Sequence, residues 1–152
     1  MTTFQASTET APRDAASETV TDFLYALQAQ DLDRALALLT DDVEWINVSL
    51  PTIRGRSSLE KIFRTAQGAG GGFRVHFHAV ASEGDVVLTE RTDAMTLGKF
   101  EQRFWVAGRF ELRDGKIAVW RDSFDWGDLT VGLFRALAGL VSPRFNRPWP
   151  SG

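Results

Sequence analysis

Cysteine is absent from the 152 residues, which excludes disulfides, thiolate metal ligands and a cysteine nucleophile. Histidine is almost absent, with only His76 and His78. That complement cannot build a three-histidine zinc site, and it leaves a serine–histidine nucleophile few candidates for its base. Tyrosine occurs once, as Tyr25. There is no excess of basic charge: 17 Lys and Arg stand against 20 Asp and Glu, a formal net charge of −3. A dedicated nucleic-acid binder would show a basic excess or stripe, so no nucleic-acid partner is expected. Long hydrophobic runs are missing too. The most apolar stretch, Leu129 to Val141, is broken by Gly132, Arg135 and Gly139 and is too short to cross a bilayer. The first sixteen residues are polar and lack the apolar core of a signal peptide. The expectation is a cytoplasmic protein without a membrane partner.

What is present is an ordinary globular composition, 43% hydrophobic and 24% charged, in a length that suits one domain. The expected organisation is a flexible N-terminal tail over residues 1–15, a single domain over 16–142 and an irregular tail over 143–152. Ser17 reads as the N-cap of a first helix carrying Val20, Phe23, Leu24 and Leu27. Asp31 or Asp33 opens a second helix, which Thr40-Asp41-Asp42 ends. Ser57 reads as the cap of a third, with Glu60 at the capping-box position and Leu59, Ile62 and Phe63 as its apolar stripe. The run Gly68 to Gly72 follows a helix and precedes a strand. That is the reverse of the order a phosphate cradle requires, so it reads as a connector.

After Gly72 the hydrophobic period changes to two. Val43 to Asn47 is already a short strand with Val43, Trp45 and Asn47 on one face. From Phe73 the alternation becomes sustained: Phe73, Val75, Phe77 and Ala79 alternate with Arg74, His76 and His78. Strands follow over Val86 to Leu97, Phe100 to Arg113 and Lys116 to Trp126, joined by Gly98-Lys99 and by the hairpin signal Asp114-Gly115. On the middle strand Phe100, Gln102, Phe104, Val106, Phe110 and Leu112 share a face opposite Glu101, Arg103, Arg109, Glu111 and Arg113. That split marks an antiparallel sheet covered on one side. Asp128 reads as the cap of a last helix to about Leu140, stopped by Pro143. Helices followed by long antiparallel strands give an α+β fold. Three N-terminal helices and one C-terminal helix against a curved, mostly antiparallel sheet would enclose a conical pocket.

Parity places charges where that pocket would be. Arg91 and Asp93 share a face with Val87, Thr89, Met95 and Leu97, and Asp122 shares one with Ala118, Trp120, Phe124 and Trp126. Periodicity leaves two readings open, a structural ion pair or a catalytic carboxylate pair. His76 and His78 alternate with apolar residues and face away from the pocket. Arg121 and Asp125 have the parity opposite to Asp122 and read as structural.

The segments TERTDAM (Thr89–Met95) and WRDSFD (Trp120–Asp125) resemble the two catalytic strands of the limonene-1,2-epoxide hydrolase family, including its mycobacterial members. The resemblance continues through VEWINVSLPTIRGR (Val43–Arg56) and FWVAGRFELRDGKI (Phe104–Ile117), and covers most of the chain outside the tails. It implies the cone of the nuclear-transport-factor-2-like fold, a homodimer formed through its sheet, and hydrolysis of a small hydrophobic epoxide to a vicinal diol without cofactor or metal. The family's aspartate–arginine–aspartate triad falls on Asp93, Arg91 and Asp122, and its water-holding asparagine on Asn47. Where the family usually has a tyrosine, two residues earlier, this sequence has Trp45.

In the implied reaction Asp122 is the general base on water and Asp93 the general acid on the epoxide oxygen, with Arg91 between them. One proton shared by two aspartates beside one arginine sums to zero charge, the least costly state to bury. The indole N–H of Trp45 can donate to the water as the tyrosine hydroxyl would, or Trp45 can serve only in packing. Met95, Phe104, Val106, Phe110, Trp120, Phe124 and the last helix are the expected pocket walls. An intramolecular epoxide-opening cyclase would need the same acid and base, and a non-catalytic binding module is a further use of such a cone. A ketosteroid-isomerase-type site is disfavoured because Tyr25 is the lone tyrosine.

Overall fold

The computed structural model describes residues 14–151, so most of the expected N-terminal tail lies outside the described residues. The chain runs through α1 (Ala15–Gln28), α2 (Leu32–Ala37), β1 (Leu39–Asn47), β2 (Ile53–Arg54), α3 (Arg56–Gly68), β3 (Gly71–Glu83), β4 (Val86–Leu97), β5 (Phe100–Arg113), β6 (Lys116–Ser123) and α4 (Trp126–Gly139). A 3₁₀ turn follows over Pro143–Phe145. The strands form one sheet in the order β2-β1-β6-β5-β4-β3. All neighbours are antiparallel except β1 and β6, which run parallel. This is the expected α+β architecture.

The core fills the space between α1, α2 and α3 and the inner sheet face. Phe23 and Leu24 of α1, Leu59 of α3, and Phe110, Ile117 and Trp120 of the sheet are all buried in it. Phe23 meets the Trp120 ring edge-on at 5.1 Å, a favoured aromatic geometry. α4 packs on β5. Five of its apolar side chains, Trp126, Val131, Leu133, Phe134 and Leu137, remain exposed.

Several local readings are corrected. Asp14, not Ser17, caps α1: its carboxylate accepts from the Ser17 N–H at 2.9 Å, and Ser17 is buried inside the first turn. Asp125, not Asp128, caps α4 in the same way, accepting from the Asp128 N–H at 3.0 Å. The last strand accordingly ends at Ser123, and Trp126 belongs to the helix. α3 has no side-chain cap; Gly55, at φ 89°, turns the chain into it, and Glu60 pairs with Arg64 instead. Thr40-Asp41-Asp42 does not end a helix but lies within β1. Ile117 has outward parity in a regular strand, yet it is fully buried. A register shift explains this: Glu111 pairs with Val119 but Leu112 with Ile117, so a bulge turns Ile117 back into the core. His76 and His78 stack edge-on to each other. His78 is exposed and bonded to Thr92, and His76 meets Trp149 of the C-terminal segment, which lies under the guanidinium of Arg74.

Candidate active site

Strand β4 presents Thr89, Arg91 and Asp93 on the inner face, and all three are buried. Arg91 is 0% exposed, an expensive place for a guanidinium unless its donors and charge are matched. Its Nε donates to both oxygens of Asp93, at 2.9 and 3.1 Å. Its Nη1 donates to the Thr89 hydroxyl at 3.0 Å. Its Nη2 lies 2.7 Å from Oδ1 of Asp122, which is 5% exposed. The contact is a buried ion pair, and neither atom has another protein partner. One arginine thus holds two carboxylates that arrive from different strands.

Asp122 is brought to this point by register. It pairs with Gly108 of β5, and Gly108 pairs with Thr89 of β4. On its other side Asp122 pairs with Asn47 of the parallel strand β1, where the Val48 N–H donates to the Asp122 carbonyl at 3.0 Å. Trp45 likewise pairs with Trp120, and their rings stack at 4.8 Å. The indole nitrogens of both are buried with no protein partner.

These side chains surround a cavity of about 580 Å³ lined mainly by carbon, with Asp93, Asp122 and Asn47 among its polar groups. Trp45, Met95, Phe104, Trp120 and Phe124 all contribute to the wall. The last helix contributes Leu129, whereas Val106 and Phe110 do not line the cavity: Val106 is buried in register with Arg91 and Phe110 is buried in the core. Arg91 is behind the two carboxylates and does not line the cavity either. Parity along strands found none of the walls donated by helices, such as Leu27 of α1 and Phe63 of α3. Gly108 was also missed, although a glycine inside a strand signals close approach by another group.

The electrostatics act on Asp93 and Arg91. Burial pushes the Asp93 carboxyl up from 3.8 to about 6; the neighbouring Asp122 adds to the rise and Arg91 opposes it. Burial alone would lower the Arg91 guanidinium, but the charges of Asp122 and Asp93 outweigh it and hold the group above its ordinary value. Asp93 is therefore suited to carry a proton, in a site where the charged arginine permanently favours one ionised carboxylate. Such a pair, facing an apolar cavity, has the parts for concerted acid and base work on a neutral substrate. Among the described residues no group of three His, Asp or Glu side chains is placed to hold a metal ion.

The fold and the buried triad define a class first. A nuclear-transport-factor-2-like protein from Burkholderia pseudomallei superimposes with a TM-score of 0.64 at 18% identity, covering 74% of this chain and 92% of its own. At that identity the likeness speaks for the cone fold alone. The family described as limonene-1,2-epoxide hydrolase catalytic domain matches residues 14–135, a span that includes every residue of the triad. The chain belongs to that family and is an epoxide hydrolase. It is 46% identical over 121 residues to the epoxide hydrolase EphG of Mycobacterium tuberculosis, covering 80% of each chain. It also superimposes on an M. tuberculosis epoxide hydrolase of the limonene-1,2-epoxide hydrolase type. That match has a TM-score of 0.84 at 42% identity, over 89% of this chain and 96% of that one.

Proposed function

We propose that Asp122, Asp93 and Arg91 open a small hydrophobic epoxide in a single general acid/base step, giving a vicinal diol. The observation that carries this reading is one fully buried arginine touching two carboxylates at the wall of an apolar cavity. Ionised Asp122 removes a proton from water as the water oxygen bonds to an epoxide carbon. Asp93, whose carboxyl is pushed up to about 6, gives its proton to the departing ring oxygen. After the step Asp122 carries a proton and Asp93 does not, so the charge of the triad is unchanged. One proton then returns to Asp93 to reset the site. Ring strain assists the opening, and acid and base assistance each contribute about 10²–10⁴-fold.

Water needs two acceptors and one donor so that a lone pair is left for carbon. Asp122 and the side-chain carbonyl of its register partner Asn47 serve as acceptors. The Nε1–H of Trp45, buried and without a protein acceptor, serves as the donor in place of the family's usual tyrosine. The apolar wall selects a neutral, hydrophobic substrate.

The reading extends to the whole molecule. A chain without cysteine and with net charge −3 suits the cytoplasm and offers no overall basic excess to nucleic acid. No helix among the described residues is long and apolar enough to cross a membrane. The outer sheet face carries Trp105, 42% exposed with its indole N–H donating to Glu90, and, farther along the face, the exposed Leu88; these apolar groups support a homodimer formed through the sheet, and light scattering at micromolar concentration tests it against a monomeric mass. The activity is tested by diol formation over a panel of terpene, styrene, cyclohexene, fatty-acid and steroid epoxides, with an epoxy-alcohol included. Turnover of at least one simple epoxide to its diol supports the proposal. Cyclic ether from the epoxy-alcohol, with no diol from any substrate, would assign a cyclase instead.

A further inference from the structure

We propose that Gly108 and Thr89 are positioning residues for the reaction, forming a slot across β5 that lets Arg91 reach from β4 to Asp122 on β6. The inference rests on the catalytic reading of the triad given above. Arg91 and Asp122 stand on strands separated by a whole strand, and the residue between them in register is Gly108. A Cβ built on Gly108 would lie within 2.5 Å of the Thr89 hydroxyl oxygen and closer still to Nη1 of Arg91, with the Phe110 ring at 3.0 Å. The slot is therefore filled already, by the guanidinium itself. No L side chain fits at position 108 unless Arg91 moves.

The backbone does not explain the glycine. Gly108 is not among the residues at positive φ, and it lies in the regular part of β5, where glycine weakens a strand. What the site gains is a path over the middle strand for a rigid, planar group. Thr89 completes the slot. Its Oγ1, itself buried, accepts from Nη1 at 3.0 Å, while the Phe110 ring lies beneath the guanidinium, 5.8 Å from Cζ. With Nε committed to Asp93 and Nη1 to Thr89, Nη2 is left pointing at the Asp122 side. The ion pair with Asp122 thus depends on both neighbours for its placement.

The obstacles at position 108 are side-chain ends, those of Arg91 and Thr89 and the edge of the Phe110 ring, and no backbone atom is among them, so the fold can accommodate a methyl group by displacing Arg91 and turning the Thr89 hydroxyl away. The triad cannot accommodate it. Gly108→Ala should lower kcat at least about 100-fold, with the thermal midpoint held within a few degrees. The alkaline limb of the pH–rate profile, on which Asp93 loses its proton, should move to higher pH, because a displaced Arg91 no longer opposes the rise caused by burial and by Asp122. Thr89→Val keeps shape and removes only the acceptor; it should lower kcat about tenfold and move the same limb in the same direction. The experiment measures kcat, KM and the pH profile of both variants and of Asp122→Asn, on the epoxide of the panel that the wild-type enzyme turns over fastest. If Gly108→Ala does not fold, Thr89→Val decides alone. Variants within threefold of wild-type kcat, or losses confined to KM with the alkaline limb unmoved, would overturn the positioning role while an inactive Asp122→Asn left the triad reading intact. An active Asp122→Asn would overturn the triad reading itself.

Discussion

Replacing Asp93 with asparagine separates a proton donor from a buried acid, and the two consequences have different sizes. The substitution keeps the shape of the side chain and an oxygen facing Nε of Arg91. In the native protein burial pushes this carboxyl up from 3.8 to about 6, helped by Asp122 and opposed by Arg91. A carboxyl raised on folding favours the protonated native state. Its stabilisation is fully present below the unfolded value of 3.8 and is lost as the pH climbs through about 6. Integrating between those values, the wild-type protein should lose about 2 kcal/mol of stability between pH 4 and pH 8 through this one group. Asp93→Asn abolishes the titration. The difference in unfolding free energy between variant and wild type should therefore move by about 2 kcal/mol in the variant's favour over that range, about 4–8 °C in Tm for a chain of this size. Urea and thermal unfolding of both proteins at several pH values measure it, and taking the difference cancels the titrating groups that are not coupled to Asp93. Parallel stability curves across pH 4–8 would refute the claim that Asp93 is a carboxyl raised by burial. In diol assays the same variant should lose about 10²–10⁴-fold at every pH, because an amide cannot supply the proton.

Asp122→Asn should remove about 10²–10⁴-fold of kcat with the fold retained by circular dichroism, and the double variant with Asp93→Asn should lose far less than the product of the two single losses. Arg91→Lys should lower kcat and destabilise by about 2–3 kcal/mol in urea unfolding. An ammonium cannot send separate, fixed donors to Asp93, Thr89 and Asp122, and a bond from a charged donor contributes about 1.5–3 kcal/mol. Trp45→Phe should cut kcat about tenfold with KM little changed, whereas Trp45→Tyr should preserve or raise activity; equal rates for both variants would make position 45 a packing residue only.

The strands that carry the site were legible because their alternation is clean and their turns are marked. Val86–Leu97 and Phe100–Arg113 appear at the expected limits; parity put Arg91 and Asp93 on one face, and the matching motifs added Asp122. Helix starts were less legible for a specific reason. At Asp14 and Ser17, and again at Asp125 and Asp128, two capping-type residues stand three apart. The earlier one caps and the later one supplies the capped N–H, so choosing the residue nearest the apolar stripe shifts the start by one turn. The bulge that buries Ile117 leaves no mark in the alternation of β6. The parallel pairing of β1 with β6, which brings Asn47 beside Asp122, joins segments far apart in the chain and was reachable only through the family resemblance. The role of Gly108 needed the register of three strands at once.

The most direct test of the account is a single turnover with enzyme in excess, in water labelled with ¹⁸O, followed by mass spectrometry of both the diol and the protein. Activation of water by Asp122 predicts one ¹⁸O atom in every diol molecule of the first turnover and none incorporated into the protein. An unlabelled diol from the first turnover, with ¹⁸O left in the Asp122 carboxyl group, would show that the carboxylate attacks carbon through a covalent ester, and the one-step assignment would be wrong.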